Sequence, residues 1–411
     1  MTQSSRHVAM ALYGDPSYDS RVQREAASLV DAGYRVTLAC LEVSHPEALA
    51  ISDRVEILAH RPAASAVVPG TRSPFHPDDP GTHRSGPRGR ISWLRGYAAN
   101  LRAWGAWARS TVRPDVWHAH DLTPLAALGT GVRRSARLVY DSHELYLESG
   151  TAMRLPRPAR WLLARWEGRL IGRCAAVVTV NDGVAAELRR RYGVVPTVVL
   201  NCPPFREVPR PGIMRDALGL GDGAVLLYHG ALSPGRGLER TIDALRQLPP
   251  DVRLVILGDG SLRDALEDRG RALGILDRLR FHASVAPAEL LDWVVDADLA
   301  IVLIEGTELN FTLSTPNKLF EAMTAGVPVV ASDLPMIAAI VDAERIGAVV
   351  HGTGPDDLAA AVRLLVADPE ARAAMGERAR AAARRTYNWE AQAERLRAVY
   401  DRLWSEGSAG I

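Results

Sequence analysis

STPNKLFEAMTAGVPVVASD, residues 314–333, carries the punctuation of a helix followed by a buried strand. Ser314 or Thr315 can cap, and Pro316 suits the first helical position. Gly326 ends the helix, and residues 327–331 form a short β-branched run. The free N–H groups and positive dipole end of a helix N-terminus suit a diphosphate. Asn317 and Lys318 stand in the first turn, where Lys318 adds a point charge, and Glu321 one turn on can accept hydrogen bonds from sugar hydroxyls. Diphosphate plus ribose describes a nucleotide-sugar. An ordinary αβ unit with Glu321 on its surface accounts for the same residues, and such motifs recur by chance.

Working outward, strand and helix patterns alternate almost throughout, which predicts parallel sheets flanked by helices. Residues 7–13, 34–41, 116–120, 137–140 and 176–180 read as strands. Residues 19–32 read as a helix with Val22, Ala26, Leu29 and Val30 on one face, and Asn181 can cap a helix running to Tyr192. Residues 201–212 hold four prolines and read as a linker. Alternation then restarts with strands at 224–228, 253–257, 299–303 and 327–331, and residues 389–404 read as an amphipathic helix. The expected division is 1–204, 205–385 and a tail at 386–411. Residues 61–90, rich in Pro, Gly, Ser and Arg, read as an aperiodic loop. The helix expected at 91–112 spaces Trp93, Tyr97, Leu101, Trp104 and Ala108 on one stripe. A membrane-surface or acceptor-contacting helix and a core helix both fit that stripe; burial is the commoner fate of aromatics.

The bulk properties narrow the class. The chain has 411 residues, 47% hydrophobic and 24% charged, with a formal net charge of +1. That balance suits globular domains and supplies no field for nucleic acid. Three cysteines, Cys40, Cys174 and Cys202, form no Cys-x-x-Cys pair, so no zinc motif or disulfide framework is expected, and a reducing cytoplasm fits. No apolar run approaches the ~20 residues of a membrane span. A peripheral contact with the inner membrane surface remains compatible with the sequence.

Ligands of open α/β sheets bind beyond the carboxyl ends of the strands. After the first strand come Gly14 and Asp19, with no Gly-x-Gly-x-x-Gly fingerprint, which argues against a dinucleotide-dependent oxidoreductase. Residues 116–120 end in His118, His120 and Asp121. A neutral imidazole there can hydrogen-bond a sugar hydroxyl, while the three residues together would also resemble a metal-ligand cluster. Next come His143 and Glu144, candidates for the acceptor side, in a polar cluster where Asp141 or Ser142 could instead cap a helix. In the second half, Gly230, Gly235 and Gly237 surround Arg236, whose guanidinium can pair two phosphate oxygens. Gly258 and Gly260 offer backbone to a base or ribose.

These segments, in this order, resemble the retaining glycosyltransferases of family 4, of GT-B fold. The resemblance rests on DSRVQREA (19–26), VWHAHD (116–121), YDSHE (140–144), HGALSPGRGLE (229–239), LGDG (257–260) and the opening stretch. It implies two Rossmann-like domains facing a central cleft, a nucleotide-sugar donor with UDP as the default, and a hydroxyl acceptor that is a small molecule or lipid-linked. It implies no cofactor and no metal. His120, Arg236, Lys318 and Glu321 would act in transfer. Gly14, Gly230, Arg236, Gly258, Asn317, Lys318 and Glu321 would hold the donor, while Asp19, His118, Asp121, His143 and Glu144 would face the acceptor. Similar enzymes carry two basic residues in the 229–239 loop, and the first position is Ala231 here. They also often carry two glutamates separated by seven residues. The second matches Glu321 and the first falls on Leu313, with Glu305 and Glu308 nearby. The Pro316-Asn317-Lys318 run resembles a branch acting in polysaccharide and amino-sugar glycoside synthesis. A hexosyl or N-acetylhexosaminyl transferase is the expectation. The rivals are a non-hydrolysing nucleotide-sugar epimerase and a non-catalytic sugar-binding subunit.

Overall fold

Short apolar runs alternate with amphipathic helices, and a parallel pair of strands needs such a crossover to return in the same direction. The computed structural model describes residues 6–62, 87–133, 135–153, 155–209, 212–306 and 308–408. Most of the loop expected at 61–90 lies outside them. The chain forms two compact units, one of residues up to Val199 and from Ala393 on, the other Leu200–Gln392. The divisions fall before the proline-rich stretch and inside the last helix, Trp389–Ser408. Packing explains this: Cys202 and Val208 enter the core of the second unit, and Trp389 N–H donates to Pro203 O at 2.9 Å.

The first unit contains β1 (His7–Ala11), β2 (Arg35–Cys40), β3 (Val55–Ala59), β4 (Val116–His120), β5 (Arg137–Ser142), β6 (Ala176–Thr179) and β7 (Thr197–Val198). They pair in the order β3-β2-β1-β4-β5-β6-β7, all parallel, with Val8 level with Val36 on one side and Val116 on the other. The second unit contains β8 (Val225–His229), β9 (Arg253–Leu257), β10 (Leu279–His282), β11 (Leu299–Val302), β12 (Val329–Ser332) and β13 (Gly347–Val350), ordered β10-β9-β8-β11-β12-β13. In β8, Val225 and Leu227 enter one core layer while Leu226 and Tyr228 enter the other. A strand buried on both faces needs helices on both, so each unit is Rossmann-like. Strand order reverses between β1 and β4 and between β8 and β11. Those two switch points are where such sheets open a crevice.

Two local expectations shift. The helix of the opening stretch is Asn317–Ala325, with Pro316 rather than Ser314 or Thr315 at its cap. Pro316 is extended (ψ 144°), so helical geometry starts one residue later. The following strand begins at Val329, not Val327, because Gly326 and Val327 N–H turn back to Met323 and Ala322 carbonyls and finish the helix. Within the aromatic stripe of the Pro87–Thr111 helix, Trp104 and Ala108 are fully buried, and Trp104 Nε1 donates to Cys40 O at 3.3 Å.

That helix crosses the Leu122–Leu128 helix at Gly105, where an added Cβ would stand 2.0 Å from Ala127 O. Backbone cannot yield as a side-chain tip can. Gly105→Ala is therefore expected to destabilise the protein by about 1–3 kcal/mol, read as a lower denaturation midpoint; an unchanged midpoint would show that this crossing is loose.

Candidate functional site

In the first unit a cavity of ≈ 260 Å³ opens at the β1/β4 switch point. Gly14, Asp19, His120, Asp121 and Glu144 line it with Tyr13 and Tyr146. Asp19 caps the Ser20–Asp31 helix by accepting from Arg21 and Val22 N–H. Asp121 holds φ 69°, a strained conformation for a residue with a Cβ, and its carboxylate accepts from His143 N–H at 2.9 Å. Gly14 has no positive φ, and a Cβ there would meet only the Leu12 side chain at 3.7 Å, so the cavity does not require glycine.

Two expected acceptor-side residues stand elsewhere. His118 shares a strand face with His120 but lies two residues deeper. It is fully buried, with Nδ1 2.6 Å from the Tyr400 hydroxyl and its ring stacked on His120 at 4.6 Å. His143 is not itself in the cavity lining; its Nε2 faces Asp141 at 3.1 Å and its Nδ1 lies 3.6 Å from Asp121, which is in that lining.

Behind the cavity lies a charge network whose centre, Arg21, sequence reading passed over. Arg21 is 2% exposed and grips fully buried Asp141 with Nε at 2.7 Å and Nη2 at 2.8 Å, while Nη1 donates to Val199 O at 2.6 Å. Glu25, one turn on, lies 3.0 Å from Arg21 Nε. A charged i,i+4 pair among the apolar positions of that helix was the available signal. Burial works against the Asp141 charge, but Arg21 and then His143 overcome it and hold the carboxyl well below its usual range. Burial raises Glu25 and depresses both His118 and His120. Burial also opposes a charged His143, yet Asp121 and Asp141 outweigh it and lift this imidazole to about 10. His143 is therefore protonated at neutral pH and donates from Nε2, which lies 3.3 Å from His120 Nδ1. His120 Nδ1 also lies 3.5 Å from Asp141 Oδ2, and its Nε2 is a buried atom with no partner among the described residues.

Glu25, His118, His120 and Asp141 offer four donor atoms within 4.8 Å of one another, a set in which Asp141 replaces the expected Asp121. Its fit to a cation is poor, because the Arg21 guanidinium already sits on both carboxylates.

In the second unit, the loop after β8 and the Asn317–Ala325 helix meet at the β8/β11 switch point. Lys318 is 8% exposed, and its Nζ lies 3.6 Å from the centre of the Tyr228 ring. Burial, then the neighbouring Arg236, push this ammonium well below its usual range, and Glu321 opposes them. Arg236 stacks on Phe311 at 5.5 Å and makes no ion pair among the described residues. Glu321 accepts from His229 Nε2 at 2.8 Å. Gly230, Gly235 and Gly237 all hold positive φ, which bends the loop around Arg236. Gly258 and Gly260 serve a close backbone approach. A Cβ on Gly258 would lie 2.1 Å from Gly230 O, and one on Gly260 2.3 Å from Leu232 O, so they let two backbones touch. Leu313 ends the short Leu309–Thr312 helix, and the backbone N–H of exposed Glu305 donates to Gly235 O at 3.0 Å.

The raised His143 fixes a pH response. A protonated imidazole favoured by the fold binds its proton more tightly folded than unfolded, so its contribution is complete below about pH 6.5 and is lost as pH rises toward 10. Wild type is expected to lose melting temperature between these values more steeply than His143→Gln; identical slopes would show His143 to be neutral.

Comparison with known proteins places this geometry. Residues 20–203 match the profile Glycosyltransferase Family 4, and residues 213–382 match Glycosyl transferases group 1. A D-inositol 3-phosphate glycosyltransferase of Xylanimonas cellulosilytica is 30% identical over 313 residues, covering 70% of this chain and 71% of the relative. A GDP-mannose-dependent alpha-(1-6)-phosphatidylinositol monomannoside mannosyltransferase of Mycolicibacterium smegmatis is 32% identical over 288 residues, 66% and 72% of the two chains. Among solved structures, Anabaena Alr3699/HepE in complex with UDP superposes with a TM-score of 0.69 at 16% identity, over 97% of this chain and all of that one. The fold is thus that of GT-B enzymes, and the chain belongs to the glycosyltransferases built from a Family 4 half and a group 1 half.

Proposed function

We propose that this enzyme moves a sugar from a nucleoside diphosphate donor to a hydroxyl acceptor, with retention of anomeric configuration and without a metal ion. The observation that carries the donor assignment is the Lys318–Arg236 pair. Two cations stand together at a switch point, one of them buried, and among the described residues Glu321 is the acid that opposes the strain on Lys318. A diphosphate would supply the missing counter-charge. The N-terminus of the Asn317–Ala325 helix adds N–H donors. Glu321, held by His229, would take the ribose.

As the glycosidic bond breaks, negative charge grows on the diphosphate. Arg236, Lys318 and the helix N–H groups stabilise that charge and thereby the transition state. His120 hydrogen-bonds a hydroxyl of the donor sugar. No residue forms a covalent intermediate. The cavity of tyrosines and carboxylates in the first unit binds the acceptor through its hydroxyl hydrogens, and a lipid-linked acceptor is as acceptable there as a free one. Retention follows the family resemblance of residues 229–239 and 316–321. UDP-hexoses and UDP-N-acetylhexosamines are our first donor candidates, with GDP-mannose tested beside them because of the mycolicibacterial relative's name.

Arg236→Ala and Glu321→Gln should each weaken donor binding roughly ten- to a hundredfold, the loss of one charge-assisted hydrogen bond of about 1.5–3 kcal/mol. His120→Ala should instead lower turnover at nearly unchanged donor affinity. Calorimetry with the donor series measures both; wild-type affinity in the first two variants would remove the donor site from this position.

Full activity is also expected in excess EDTA, since Arg236 and Lys318 supply the positive charge that a bridging cation would. Loss of activity restored by magnesium or manganese would reject the metal-free reading.

A further inference from the structure

The Arg157–Ile171 helix presents a face that the core leaves unused. Its buried residues are Glu167, Leu170 and Ile171, whereas Trp161, Leu162 and Trp166 are 58%, 61% and 41% exposed. Arg157, Arg165 and Arg169 continue the same stripe at intervals of one or two helical turns. Arg165 lies over the Trp161 ring at 5.0 Å. None of these three arginines makes an ion pair among the described residues. The single acid of the helix, Glu167, is turned inward and accepts from the Tyr192 hydroxyl at 2.6 Å. No carboxylate of this helix therefore offsets the outward positive charge.

Beside the stripe, a groove of ≈ 700 Å³ runs between this helix and Asp182–Tyr192. Arg165 and Arg169 border it with Arg160, Arg190 and Arg191, and these last three are matched by Glu148 and Glu187. The unmatched charge thus lies with the exposed indoles. Indole rings favour the level of lipid headgroups, where one part is apolar and another wet, and guanidinium groups there pair with phosphates. No helix among the described residues is long and apolar enough to cross a membrane, so the contact is with a surface.

We propose that the Arg157–Ile171 helix docks the enzyme on a bilayer containing anionic phospholipids. Trp161, Leu162 and Trp166 enter the headgroup layer, and Arg157, Arg165 and Arg169 meet its phosphates. The position suits an acceptor held in lipid: Leu147 lines the groove, and its neighbour Tyr146 lines the acceptor-side cavity. The docking itself does not rest on the donor assignment.

Co-sedimentation of the full chain with vesicles tests it, using phosphatidylcholine alone or mixed with phosphatidylglycerol. Wild type is expected to bind only the mixed vesicles, less so as salt is raised. Trp161→Ala/Trp166→Ala and Arg165→Gln/Arg169→Gln should each bind at least roughly tenfold more weakly. Melting temperatures should stay at the wild-type value, because these side chains are exposed. Exposed Arg246→Gln in the other unit should change nothing. Absence of binding, equal binding to phosphatidylcholine alone, or binding indifferent to both double variants would overturn the proposal. So would a dimer in solution that Trp161→Ala dissolves, which would make a second copy the occupant.

Discussion

A guanidinium deprived of water must be answered by acid, and Arg21 is answered by Asp141 through two parallel hydrogen bonds. The pair joins the first turn of one helix to the end of β5, and the third nitrogen reaches Val199 just past β7. Removing one partner of such a pair typically costs about 3–5 kcal/mol, because the other charge is left buried alone. Asp141, with Asp121, raises His143, whereas burial depresses His118 and His120 against the pull of Asp141. With Asp141 held ionised, His143 keeps a proton, while His118 and His120, packed face to face in a dry layer, stay neutral. The strand end therefore brings one neutral imidazole to the cavity.

The second unit is arranged on opposite electrostatic terms. There the cations outweigh the acid, and burial makes the imbalance felt on Lys318. Tyr228 softens it, since the face of an aromatic ring attracts an ammonium. A residual positive excess at a helix start and strand switch point is a site prepared for an anion. The cavity of the first unit is lined by acids instead, Asp15, Asp19, Asp121 and Glu144.

Much of this was legible in sequence because parallel sheets are written in short apolar runs. Rim residues such as Asp121, Glu144 and Arg236 follow those runs directly, so the strand reading located them. Depth was harder to read: period-two alternation puts His118 and His120 on one face but does not say which is covered, and Tyr400, distant in sequence, does the covering. Glycine was ambiguous as well. Gly258 follows a strand as a ligand-binding glycine would, yet the near approach it permits is to Gly230 of its own chain. Arg21 and Glu25 stayed hidden because buried charge is rare enough that a helical pair of opposite sign reads first as a solvated one.

Two aromatic stripes show where pattern alone stops. Pro87–Thr111 and Arg157–Ile171 both set tryptophans at helical spacing among arginines. In the first, Gly105 and Ala108 interrupt the stripe with small residues, so a neighbouring helix comes to backbone contact and Trp104 is sealed beneath β2 residues. In the second, Trp161 and Trp166 stand beside Leu162, Arg165 and Arg169, and the small residues Ala164 and Gly168 border an open groove rather than a helix crossing. The inward face of that helix is already supplied by Leu170, Ile171 and the Glu167–Tyr192 contact. Its indoles consequently have nowhere to go but outward, and the arginines that share their side select what can cover them.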